Sequence, residues 1–199
     1  MFYWFVRAVA RVALALSMRL DVSGRENVPA GGPLVVCSNH IAWLDPVVLG
    51  VVLPRRIAFM AKEELFRYPV FGWCLRLLGA FPVKRGTADR NAVHFAGRVL
   101  SRGGVVGMFP EGTRSRTGQL GKAHNGAAYL AVRNRARVVP VGIRGPYGFA
   151  RRIAVAIGPA MSLGEEGSKR ITSKDMDEAA GRIMEAIASL VKRESPIAG

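Results

Sequence analysis

Cysteine is scarce in this sequence: Cys37 and Cys74 are the only two among 199 residues. Both lie in apolar runs. They make no disulfide framework, and a reducing compartment is expected. Metal-ligand spacing is absent, because the three histidines, His40, His94 and His124, are scattered along the chain. Neither a metal nor another resident cofactor is therefore expected. Acidic residues are few, 14 against 29 Lys and Arg, giving a formal net charge of +15 and a pI near 11.1. Residues 1–164 carry 23 basic and 7 acidic side chains, whereas residues 165–199 carry 6 and 7. Such a field draws phospholipid surfaces, phosphorylated small molecules, acidic carriers or nucleic acid. No nucleic-acid-binding module is recognisable, so nucleic acid is not expected as a partner. Repeats and low-complexity segments are absent too. The length suits one domain with a substantial core, and nothing in the sequence sets an oligomeric state.

Nor is there a good membrane-spanning run. Residues 1–20 are apolar, aromatic at their start and free of acids, but Arg7 and Arg11 interrupt them. The hydrophobic part precedes the charges and no clear cleavage site follows, unlike a secretory signal. At helical spacing Arg7, Arg11 and Arg19 fall within a sector of roughly 120°. The pattern reads as a helix lying in a membrane interface, aromatics at headgroup depth and arginines toward anionic lipid. The competing reading is a helix packed on the protein's own core with its arginines outward.

What the chain does have is an alternation of short apolar runs with helical stretches. Strands are expected over 34–38, 56–60, 81–84, 105–109, 138–143 and 153–157. Helices are expected over 46–53, 70–78, 88–101, 125–134 and 173–192. The last has Ser173 as cap and Asp175, Asp177 and Glu178 in its first turn, complementing the helix dipole. The fold class that follows is α/β: a single domain with a mixed, mostly parallel sheet flanked by helices. Residues 1–20 would be the interface helix, 21–164 the core, and 165–199 a C-terminal helix packed on it. Lys62, Phe66, Tyr68, Phe71, Trp73 and Arg76 interleave aromatics with bases. That segment reads equally as a membrane-facing or acyl-chain surface and as a core helix with outward charges.

Two short blocks carry chemistry. In Ser38-Asn39-His40-Ile41-Ala42-Trp43-Leu44-Asp45-Pro46, a histidine and a carboxylate stand five apart. A neutral imidazole takes a proton from a hydroxyl near neutral pH. A carboxylate on its other nitrogen fixes the tautomer and stabilises the imidazolium. Five residues apart on a regular helix the two would point in different directions, so a turn is needed; Asp45-Pro46 supplies a helix start there. The second block, Phe109-Pro110-Glu111-Gly112-Thr113-Arg114-Ser115-Arg116, follows an apolar run with the content of a buried strand. Ligands gather at such strand-exit loops, and Arg114 has the planar fork that suits a phosphate. Each block alone is also compatible with structure only, a His-Asp contact or a Glu-Arg surface turn.

Together and in this order, the blocks resemble the glycerolipid acyltransferase family, specifically the 1-acylglycerol-3-phosphate acyltransferases. The signatures Asn-His-x-x-x-x-Asp and Phe-Pro-Glu-Gly-Thr-Arg-Ser are both complete here, at residues 39–45 and 109–115. Residues 79–86 resemble the block that contributes a phosphate-binding arginine, here Arg85 preceded by Lys84. Residues 138–143 resemble the last block, a strand carrying a proline. One departure stands out: the family's Phe-Lys-x-Gly is Ala123-His124-Asn125-Gly126 here. The resemblance implies His40 as general base and Asp45 as its orienting partner. It implies Arg85, Arg114, Glu111 and Lys84 around the substrate phosphate, Glu111 either positioning substrate or locking Arg114. Asn39, Gly112 and Thr113 would shape the site. The implied substrates are a membrane lipid acceptor with a free hydroxyl and an acyl thioester donor, acyl-CoA or acyl-carrier protein. The implied location is the cytoplasmic face of the cell membrane, peripheral or monotopic, on an anionic lipid surface. Another lysolipid or glycerol 3-phosphate as acceptor, or a non-catalytic basic membrane-surface protein, are the alternatives.

Overall fold

A computed structural model describes residues 1–84, 89–115, 119–164 and 172–192. The chain opens with helix α1 (Phe2–Ser17) and edge strand β1 (Met18–Ser23). Then follow β2 (Leu34–Ser38), α2 (Asp45–Val52), β3 (Ile57–Lys62), α3 (Pro69–Leu77) and β4 (Phe81–Val83). The second half comprises α4 (Arg90–Ser101), β5 (Val105–Met108), α5 (Gly126–Arg133), β6 (Arg137–Arg144), β7 (Arg151–Ile157) and α6 (Ser173–Lys192).

The strands form one seven-stranded sheet in the order β1-β7-β6-β2-β5-β3-β4. β6, β2, β5, β3 and β4 run parallel; β7 is antiparallel to β6, and β1 runs with β7. The five parallel strands therefore end on one edge of the sheet. Helices cover both faces, which is why the central strands read as continuous apolar runs and not as alternating ones. On β2, Leu34 and Val36 pack into the core shared with α1 and α2. Their neighbours Val35 and Cys37 pack into the core shared with α4, α5 and α6. This is the single α/β domain with a mostly parallel sheet that the sequence implied.

Element types match the expectations closely, and α6 has the expected bounds. Strand β3 is displaced, to Ile57–Lys62, and β6 and β7 are longer than expected. The N-terminus needs correction. The helix stops at Ser17, and Met18-Arg19-Leu20-Asp21-Val22-Ser23 forms β1. Its apolar-polar alternation has the two-residue period of a half-buried strand. Arg19 therefore does not lie on the helix. Arg7 is turned into the protein, its guanidinium donating to the Val51 and Leu53 carbonyls at the end of α2, at 3.1 and 2.7 Å. Outward instead is an apolar stripe, Phe5, Val9, Val12 and Leu16, each more than half exposed. Among the described residues no helix is long and apolar enough to cross a membrane.

The 59–78 segment divides. Phe66 is buried beneath Gly72, whereas Tyr68, Val70, Phe71 and Trp73 are exposed. Trp73 meets Phe2 of α1, ring centres 5.8 Å apart, so the exposed apolar surfaces of α1 and α3 adjoin.

Candidate active site

His40 lies two residues beyond the C-terminal end of β2, on the edge where the five parallel strands end. Asp45 opens α2. Instead of capping that helix forward, its carboxylate folds back over the intervening turn. Oδ2 accepts from His40 Nδ1 at 2.7 Å, from the Ile41 amide at 2.7 Å and from the Ala42 amide at 2.8 Å. Oδ1 accepts from the Tyr147 hydroxyl at 2.6 Å. Asp45 is fully buried, and every partner is a donor, the set a carboxylate satisfies. His40 thus carries its proton on Nδ1. Its Nε2 has no hydrogen bond among the described residues, and the side chain is 10% exposed.

The ring is held from other directions as well. Phe109, at the end of β5, stacks on it with centres 4.0 Å apart and planes 17° from parallel. Phe59 of β3 lies beyond Phe109, centres 6.2 Å apart. Gly107 makes room for this stack: a Cβ there would sit 2.3 Å from the Phe59 ring. The His40 amide donates to Glu111 Oε1 at 3.0 Å, and the His40 carbonyl accepts from the Ser115 amide at 2.8 Å. Asn39 exchanges two hydrogen bonds with Ile143, 2.8 and 2.7 Å, tying the exit of β2 to β6.

The structure brings Asn39, His40, Asp45, Glu111, Gly112 and Arg114 to one place. Glu111 takes a different role from either one expected. It is buried, and both its oxygens are engaged, by the His40 amide and by the Gly121 amide at 2.8 Å. No ion pair joins it to Arg114 among the described residues, and a buried anion would repel a phosphate. Glu111 is the strut between the two signature blocks. Arg114 is exposed and makes no hydrogen bond or ion pair among the described residues, so its guanidinium is free for an anion. Thr113 is exposed beside it. Gly112 adopts φ +66°, and a Cβ would come 3.0 Å from the His124 ring. His124 itself is anchored by its amide on the Pro110 carbonyl at 2.9 Å. Lys84 follows β4 on the same sheet edge, its ammonium 4.0 Å from Glu63; Arg85 lies outside the described residues.

Sequence reasoning missed Tyr147, which is 102 residues from Asp45 in the chain. It also took Phe109 as the end of a strand, although the block itself contained it. Neither nucleophile-bearing side chain on β2 is available for covalent chemistry. Cys37 is fully buried, and that burial pushes its thiol up to about 12. Ser38 is likewise buried, its hydroxyl donating to the Asn39 carbonyl at 3.1 Å.

The acyltransferase family model matches residues 19–144, from β1 to the end of β6, and so includes both blocks. The chain belongs to the acyltransferase family. It is similar to a 1-acyl-sn-glycerol-3-phosphate acyltransferase of Bacillus subtilis, 35% identical over 72% of either chain. A 1-acyl-sn-glycerol-3-phosphate acyltransferase of Pseudomonas aeruginosa is 34% identical over 84% of this chain and 66% of its own. The fold is shared with the LPA acyltransferase PlsC of Thermotoga maritima, TM-score 0.75 at 24% identity, over 97% of this chain and 81% of that one. In this acyltransferase the matched region ends three residues before Tyr147.

Proposed function

We propose that the enzyme moves a fatty acyl group from an acyl thioester, acyl-CoA or acyl-carrier protein, to the free hydroxyl of 1-acylglycerol-3-phosphate. The product is phosphatidic acid. The observation that carries this is the His40–Asp45 pair: a buried carboxylate on Nδ1 and an unpartnered Nε2. His40 Nε2 takes the proton of the acceptor hydroxyl as its oxygen attacks the thioester carbonyl. Asp45 stabilises the imidazolium. The tetrahedral intermediate collapses, the C–S bond breaks, and the departing thiolate receives the proton from Nε2. No protein nucleophile is needed, in keeping with the inaccessible Cys37 and Ser38. Arg114 holds the acceptor phosphate with Lys84 and Arg85, which suits the acceptor for which both relatives are named. The enzyme sits on the membrane surface without crossing it, through the outward stripe of α1 and the adjoining aromatics of α3.

The test is thiol release from palmitoyl-CoA with lysophosphatidic acid, by the wild-type enzyme and by His40→Ala. Release should require the acceptor, and the variant should lose roughly 10²–10⁴-fold in kcat. A variant that keeps the wild-type rate would remove His40 from the mechanism. Arg114→Ala should raise KM for the phosphorylated acceptor more than for an uncharged monoacylglycerol; equal effects on the two would refute phosphate binding.

A further inference from the structure

Tyr147 belongs to neither signature block and lies outside the matched region, yet its hydroxyl is on the catalytic carboxylate. We propose that Tyr147 is a positioning residue for acyl transfer: by donating to Asp45 Oδ1 it holds the carboxylate that holds His40, and so sets the basicity of His40 Nε2. The proposal rests on His40 being the general base.

The two oxygens of Asp45 are unequally supplied. Three donors converge on Oδ2: His40 Nδ1 and the amides of Ile41 and Ala42. Oδ1 has Tyr147 as its one partner among the described residues. In a fully buried carboxylate, loss of that donor leaves an acceptor without water or protein to satisfy it. The loop that carries Tyr147 is built to deliver the hydroxyl. Every other residue of 145–150 is exposed, and Tyr147 alone turns inward, packing against the core beneath α1 and α2. The loop is pinned at both ends. At one end Gly145, with φ +141°, lies so close to β7 that a Cβ would sit 2.7 Å from the Arg152 carbonyl. At the other, Ala150 adopts φ 56° and donates its amide to the Ser17 carbonyl at 2.8 Å. Burial, and then the neighbouring Asp45, push the Tyr147 hydroxyl well above its ordinary range. It therefore stays a donor at any pH the enzyme meets.

The electrostatic consequence has a definite sign. A phenol donating to Oδ1 draws negative charge away from the oxygen that faces His40. Without it, more of that charge falls on His40, the imidazolium is better stabilised, and Nε2 stays protonated to a higher pH. Tyr147 thus keeps His40 available as a base. Among the described residues, the ionisable side chains bonded to the pair are Tyr147 itself and Glu111, which accepts from the His40 amide. Arg114 precedes Ser115, bonded to the His40 carbonyl, and Arg144 ends β6 three residues before Tyr147.

The experiment compares wild-type enzyme, Tyr147→Phe and His40→Ala, with palmitoyl-CoA and lysophosphatidic acid over a pH series. Phenylalanine keeps the ring in its packing and removes only the hydroxyl. Tyr147→Phe should lower kcat roughly tenfold at neutral pH, the worth of one such hydrogen bond, with KM for both substrates little changed. The acidic limb of its kcat/KM profile should move to higher pH. An unmoved limb overturns the proposal, whether kcat is unchanged or falls together with the melting temperature. His40→Ala separates the two claims. If it retains activity, the base assignment fails whatever Tyr147→Phe does. If it is inactive while Tyr147→Phe behaves as wild type, only the role of Tyr147 fails.

Discussion

At the scale of single residues, the site depends on which nitrogen of His40 carries the proton. Asp45 decides this, because it accepts and cannot donate. Asp45→Asn keeps the size but offers an amide that can donate to Nδ1, holding the ring in the tautomer that leaves Nε2 protonated. A loss of about 10³–10⁴-fold in kcat is expected, the scale seen when a comparable orienting carboxylate becomes an amide. Steady-state rates with circular dichroism check it; a near-normal rate in a folded variant would contradict the tautomer argument. The His40–Asp45 contact was legible in the sequence because their spacing demands a turn and Asp45-Pro46 supplies a helix start. Glu111 was identified but its task was not. A carboxylate's partners are invisible when they are backbone amides, one 71 residues away at His40 and one 10 residues away at Gly121.

At the scale of elements, the His40 ring sits on a pile of aromatics contributed by neighbouring strands. β3 gives Phe59, the end of β5 gives Phe109, and Gly107 leaves the space between. Gly107→Ala places a methyl 2.3 Å from the Phe59 ring, so Phe59 must move. Overpacking of this kind costs about 1–3 kcal/mol, and the displacement should be passed through Phe109 to His40. The expected outcome is a lower melting temperature together with reduced kcat. Unaltered melting would show that the stack tolerates the methyl. Most elements were legible because strands buried on both faces are continuous apolar runs and helices here carry their own start signals. β1 was not, since its alternation followed directly on an apolar helix and only pairing with β7 separates the two.

For the whole molecule, charge and apolar surface define its setting. Between residues 90 and 164 the single acidic side chain is Glu111, and it is buried on backbone amides. That stretch is therefore rich in positive charge with little acid of its own to offset it, although Asp21 of β1 pairs with Arg152 at 3.3 Å, and it suits an anionic bilayer. Exposed Phe5, Val9, Val12 and Leu16 supply the apolar contact. Deleting residues 1–17 would be a poor test of that contact, because Tyr3 and Leu14 are buried and Arg7 ties down the end of α2. Replacing the four outward residues with serine should instead cut binding to phosphatidylglycerol vesicles by roughly tenfold or more while leaving the melting temperature unchanged. Undiminished co-sedimentation of that variant would exclude α1 as the anchor.

The sequence by itself determined the fold class and the meeting of His40 with Asp45, and it singled out Arg114 in the second block. These follow from short-range rules: periodicity, helix starts and the pairing of residue types a few positions apart. Only the tertiary structure decided which way α1 faces, what Glu111 binds, and that Tyr147 completes Asp45. Each of these turns on partners distant along the chain. Arg7 meets carbonyls more than 40 residues away, and Tyr147 meets a carboxylate 102 residues away. The Tyr147 contact exists because parallel strands remote in sequence end side by side on one edge of a sheet, and the Arg7 contact because α1 packs on α2; no local pattern records which segments the fold brings together.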